Sequence, residues 1–123
     1  MGAPQLLMYG LDGKKSSRLR LICIKLNIRA KLVPPSEFAE PVGAAAGFFP
    51  ISGEAHKAEP FPEEMLVMVE FGAKLLNSFL QELRAAHLPP IPLKAVLTPS
   101  NMEWSAYRLR DELVREHQSF QKK

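Results

Sequence analysis

The chain has 123 residues, 46% of them hydrophobic and 24% charged, so it has the size and apolar content of one globular domain with a real core. No apolar run approaches the roughly 20 residues of a membrane span; the opening MGAPQLLMYGLDGKK places its charges after its apolar stretch, the reverse of a secretory leader; and the single Cys23 closes no intrachain disulfide, so the expectation is a cytoplasmic protein without membrane association. The net charge of +3 hides a segregation: residues 1–33 carry seven Lys/Arg and one Asp, residues 34–72 one Lys and seven Glu, and residues 73–123 eight Lys/Arg and five acids. Such blocks either neutralise one another across the fold or a dimer, or leave a patch for anions.

In chain order, one pattern occurs twice: strand, helix, strand, first over 6–33 and again over 65–97. Leu6-Leu7-Met8-Tyr9 is a short continuous apolar run, suited to a central strand covered on both faces. A helix opens near Ser16, with Leu19, Ile22, Cys23 and Leu26 on one face. Ile28–Leu32 alternates apolar and basic residues, as an edge strand does. Residues 34–62 form a connector too long for an ordinary loop. Its small-residue run Val42–Gly47 allows close approach to another backbone, with Phe38, Phe48 and Phe49 as anchors, and Ser52–Glu64 is its most mobile part.

Met65–Val69 repeats the central-strand pattern. A second helix follows, burying Leu76, Phe79, Leu80, Leu83 and Ala86 and stopping before Pro89-Pro90. Ile91–Ala95 alternates and carries Pro92 and Lys94, both edge signals. A third helix is expected over 100–118, opened by Ser100 and Glu103 in a capping-box spacing.

Two such repeats predict an α/β (α+β) domain with a ferredoxin-like split βαβ sheet, order 4-1-3-2, and both crossover helices on one face. The alternative is a small, all-parallel, flavodoxin-like sheet. Two helices cover only one sheet face, leaving the other to the third helix, the connector or a second chain.

Pro90–Asn101, followed by Trp104, resembles an uncharacterised bacterial family, the domain of unknown function 3783, in its LKAVLTP-N-x-x-W string. Val42–Gly47 resembles that family's small-residue connector, and Met65–Phe71 its apolar third strand. Gly72-Ala73-Lys74 departs from the resemblance, which implies a serine cap opening the second helix. The resemblance implies a compact bacterial domain and carries no activity, cofactor or partner.

Two constellations are candidate sites. Gly10, Gly13, Lys14, Lys15, Ser16 and Ser17 join a strand to a helix, where glycine turns and helix N–H groups suit an anion. The spacing is two residues short of a P-loop. Lys74, expected at the same end of the sheet, would add to it. Read blandly, the same residues are a turn, a cap and solvated lysines. The second constellation is Lys94, Thr98, Ser100, Asn101 and Trp104, a pocket or interface if Lys94 turns to the open face. Read blandly, Lys94 protects an edge, Ser100 caps a helix and Trp104 is core.

Cys23 on an apolar helix face reads as an inert buried thiol. His56, His87 and His117 share no ligand spacing, and His56 with Glu54 and Glu59 is only a weak metal signature. No metal and no cofactor are therefore expected. The strands lack the aromatics and the K/R-G-F pattern of an RNA recognition motif, which argues against nucleic acid. No Ser–His–acid or Cys–His set and no paired carboxylates point to an enzyme. The expected function is a non-catalytic regulatory or protein-interaction module, self-associating or docking on a partner protein. The alternatives are a sensor of a small phosphate-bearing ligand at Gly10–Ser17 and a weak nucleic-acid binder.

Overall fold

The computed structural model describes residues 3–52 and 59–121, with side chains to residue 117. The elements are β1 (Gln5–Tyr9), α1 (Gly13–Lys25), β2 (Arg29–Val33), a 3-10 turn (Pro35–Glu37), α2 (Val42–Ala45), β3 (Met65–Val69), α3 (Gly72–Ala85), β4 (Leu93–Val96) and α4 (Ala106–Gln121). The four strands form one open sheet in the order β2-β1-β3-β4. β1 and β3 hold its centre because they are apolar on both faces, and every residue of β3 is buried. The basic residues Arg29, Lys31 and Lys94 fall on the edge strands, as expected.

The strand order corrects the expected split arrangement. Each edge strand lies parallel to its own first strand, and β1 pairs β3 antiparallel, Gln5 opposite Val69 and Tyr9 opposite Met65. That antiparallel seam also excludes the all-parallel alternative. The cause is local. α1 ends in a Schellman turn, with Asn27 in the left-handed region at φ 59° and the Ile28 amide donating to the Cys23 carbonyl at 2.8 Å. The next amide, Arg29, already bonds Pro4 at 2.9 Å. The chain rejoins the sheet beside β1 with no residues left to cross another strand.

The two βαβ halves are thus related by an approximate two-fold axis through the β1–β3 seam, which places both crossover helices on one face. There Leu6, Met8, Leu66 and Met68 pack on Leu19, Ile22 and Cys23 of α1 and on Phe79 of α3. Leu76, Leu80, Leu83 and Ala86 pack against this core while remaining partly exposed. α1 begins at Gly13, ahead of the expected Ser16, because the Asp12 carboxylate caps it by accepting the Lys15 amide at 2.7 Å.

The chain itself covers the second face. Leu7, Tyr9, Val67 and Val69 pack on Phe38 and Val42 of the connector and on Ala106 and Leu109 of α4, with Trp104 and Tyr107 against them. Tyr9, Phe38, Phe61 and Tyr107 form a chain of ring contacts with centroids 5.0–6.1 Å apart. The small residues of α2 do admit another backbone: the amides of Val42 and Gly43 donate to the carbonyls of Trp104 and Met102, both at 2.8 Å. Phe38 is the buried anchor, whereas Phe48 is 44% exposed.

α4 does not begin at the expected capping box. Residues 99–103 form a turn, and Ser105 is the cap, its hydroxyl accepting the Arg108 amide at 3.2 Å. A helix from Ser100 would withdraw the Met102 and Trp104 carbonyls that α2 binds. Thr98 and Asn101 hold the turn reciprocally, the Thr98 amide on Asn101 Oδ1 at 2.9 Å and the Asn101 amide on Thr98 Oγ1 at 3.3 Å.

Candidate functional site

The charge segregation resolves largely inside the fold. Acids of the connector and the start of β3 pair with bases on either side: Glu37 with Lys31 at 3.3 Å, Glu63 with Arg110 at 2.8 Å, and Glu64 with Lys15. The Arg110 pair is bidentate, Nε on one oxygen and Nη2 on the other. These hydrogen bonds hold the Glu63 carboxyl below the usual carboxylate range and raise Arg110 further. Glu40 is 3% exposed and accepts from the Ser52 amide and hydroxyl.

The first predicted constellation is only partly an open site. The Asp12 carboxylate already occupies the N-terminus of α1, and the Ser16 hydroxyl donates to the Gly13 carbonyl at 3.1 Å. Lys15 is held by Glu64. Lys14 and Ser17 are exposed. Lys74 is not part of the group. With β1 and β3 antiparallel, the loop at Gly10 lies beside Met65, and Gly72–Lys74 lies at the opposite end of the sheet. The expectation of a shared end does not allow for that antiparallel seam.

The second constellation does come together. Lys94, Thr98, Ser100, Asn101 and Trp104 all line a depression of about 330 Å³ between β4 and α4. Lys94, however, lies opposite Leu66 in the sheet, so its side chain points toward α3 and not to the open face that the expected pocket required, and its ammonium donates to the Ile91 carbonyl at 2.9 Å. Asn101 Nδ2 donates to the Val96 carbonyl at 3.1 Å, on the free edge of β4. Arg108 stacks over the Trp104 ring at 4.3 Å. This group closes an edge strand.

Two depressions of about 450 and 470 Å³ share Leu88 and Pro89: the first lies between the C-terminal end of α3, the loop that follows it and β4, the second between that loop and the start of α1. The sheet's antiparallel centre makes the two helices antiparallel, which brings the N-terminal half of α1 against the C-terminal end of α3. Arg18 closes the junction by donating to the Ala86 carbonyl at 2.7 Å. His87, at φ 52°, turns the chain out of α3 into Leu88 and the proline pair. The floor is aliphatic: Leu80, Leu83, Leu88, Pro89 and Ile91. The rim is basic: Lys14, Lys15, Arg18, Arg84, His87 and Lys94, against the single acid Asp12. Among the described residues, no acid pairs with Lys14, Arg18, Arg84 or Lys94.

Sequence reading passed over Arg18, Arg84 and Leu88. The usable signal was that α1 carries five Lys/Arg and no acid. Cys23 is buried as expected, and burial raises its thiol to about 11, only partly offset by Arg20. Glu54 and His56, the core of the weak metal signature, lie outside the described residues. No cluster of three or more metal-ligating side chains occurs among the described residues. No helix among them is long and apolar enough to cross a membrane.

Fold and site together define a small mixed α/β domain with a basic cleft where the loop after α3 meets the start of α1 and β4. Residues 64–120 match the model of a family described as domain of unknown function (DUF3783), so the resemblance read from the LKAVLTP-N-x-x-W string is shown. The match covers β3 to α4; the Val42–Gly47 motif lies outside it but packs directly on Met102 and Trp104 within it. No curated protein and no solved structure matches the chain.

Proposed function

We propose that this chain is a non-catalytic, cytoplasmic protein-interaction module that docks a partner through the basic cleft on either side of Leu88 and Pro89. The observation that supports it is the apolar floor under a basic rim in which Lys14, Arg18, Arg84 and Lys94 have no acidic partner among the described residues. The earlier ground for self-association, an uncovered sheet face, falls away, because α4 and the connector cover that face. The test compares the wild-type chain with a charge-reversed chain, Lys14→Glu, Arg18→Glu and Arg84→Glu, against a partner isolated from the source cells and then purified. Binding lost on reversal supports the reading. Equal binding by both chains, with native circular dichroism, rejects it.

A second reading is a small phosphate-bearing ligand beside Lys14 and Arg18, favoured by their position in one depression without an acidic partner. A ligand of the folded state stabilises it by about 2.7 kcal/mol at a hundredfold excess over Kd. A flat thermal-shift screen of phosphorylated metabolites rejects it.

A further inference from the structure

Resting on the docking reading, we infer that the occupant of the cleft flanking Leu88 and Pro89 is an acidic segment of a partner protein that carries apolar anchor side chains. The chemistry of the cleft separates this occupant from other anions. A compact phosphate needs donors that converge on one point. Here the donors are already engaged: the Lys15 ammonium is tied to Glu64, Arg18 reaches the Ala86 carbonyl, Lys94 reaches the Ile91 carbonyl, and the Lys15 amide is taken by Asp12. What remains is positive charge spread over two depressions on either side of Leu88 and Pro89, with apolar surface between the charges.

A single-stranded nucleic acid supplies the charge, but its bases need aromatic platforms. The cleft lining contains leucine, isoleucine and proline, and its one ring that could stack a base is the imidazole of His87; a series of platforms for successive bases is missing from it. An anionic lipid surface is met by a protruding face, whereas this surface is concave. A polypeptide bearing Asp or Glu around Leu-, Ile- or Phe-type residues satisfies both halves of the site: its apolar side chains fill the floor over Leu83, Leu88 and Ile91, and its carboxylates meet Lys14, Arg18 and Arg84. Long-range charge then steers encounter, and burial of the anchors sets the residence time.

The experiment is a selection from a display library of random 16-residue segments against the full chain. The best segments are then measured by fluorescence anisotropy and mapped by amide chemical shifts. Expected are sequences enriched in Asp/Glu with interspersed large apolar residues, shifts at Leu83–Ile91 and the first half of α1, and at least tenfold weaker binding to the Lys14→Glu, Arg18→Glu, Arg84→Glu chain. Replacing the anchors by Ser at constant charge should also cost at least tenfold. Selected sequences without acidic enrichment, or binding within threefold on the reversed chain, overturn the inference. So does occupancy of the same residues by a short RNA or by phosphatidylserine vesicles when no peptide is selected. If the purified partner still needs the basic rim while selected peptides are not acidic, docking stands and the occupant's chemistry is wrong. If the partner ignores the reversal, docking itself fails.

Discussion

Gly43 donates its amide to the Met102 carbonyl at 2.8 Å, and a β-carbon on Gly43 would stand 2.8 Å from that same oxygen. The contact clamps the connector onto the turn before α4, and only a residue without a side chain fits. The Phe49 ring, also 2.8 Å away, closes the other side. Gly43→Ala should therefore destabilise the fold by about 1–3 kcal/mol, the range for overpacking against atoms that cannot move aside. A fall in Tm of several degrees is expected. Gly13→Ala is the control, since nothing lies within 4 Å of its missing β-carbon; it should be neutral or slightly stabilising.

The bidentate pair between Glu63 and Arg110 predicts a pH dependence. Glu63 has a reference value of 4.5 and is lowered in the fold, chiefly by its hydrogen bond to Arg110. A lowered carboxyl contributes stability that is fully present above its unfolded value and is lost as pH falls through the folded one. The difference in urea midpoint between wild type and Glu63→Gln should be largest near neutral pH and shrink below 4.5. At neutral pH it should correspond to about 1 kcal/mol or less, since both side chains are partly solvated. A difference that stays constant down to acid pH would show that the pair contributes packing alone.

Lys14 and Lys15 should behave oppositely although they are neighbours. Lys14 is exposed and has no ion-pair partner among the described residues; the Lys15 side chain is 10% exposed and bound to Glu64. Lys14→Ala should leave stability within about 0.5 kcal/mol of wild type. Lys15→Ala should lower it by about 1 kcal/mol or more, because it strands Glu64 and removes a packed aliphatic stem. Equal urea midpoints for the two variants would remove Lys15 from the fold's polar framework.

Asn101→Ala should cost about 1–2 kcal/mol, since the side chain serves the Thr98 amide and the Val96 carbonyl together. Asn101→Asp keeps the acceptor and loses the donor, so it should fall between. Because Val96 lies on the free edge of β4, the Ala variant should also associate more at high concentration, seen by light scattering. A strictly monomeric Ala variant would mean that the edge is protected by something else.

Patterning distinguished centre from edge because it records burial. Leu6–Tyr9 and Met65–Val69 are apolar on both faces, and Arg29, Lys31 and Lys94 are not. It did not reveal which edge strand adjoins which centre, since both orders bury the same side chains. That choice is made by the Asn27–Ile28 turn. The displaced start of α4 has a similar origin. Ser100 and Glu103 form a sound local cap, but the carbonyls of Met102 and Trp104 are claimed by Val42 and Gly43, some sixty residues away in sequence. The cleft was illegible because its halves, Lys14 to Arg18 and Leu80 to Lys94, meet only once β1 and β3 run antiparallel.

The clamp between α2 and the 102–105 turn has a consequence for synthesis. On the ribosome, the connector emerges long before the carbonyls that receive it. Both βαβ halves can pair while Leu7, Tyr9, Val67 and Val69 still face outward on their uncovered side. That surface closes only when residues 102–109 dock on it. Folding therefore passes through states that expose an apolar sheet face, and a weakened clamp would be felt as aggregation as well as lost stability.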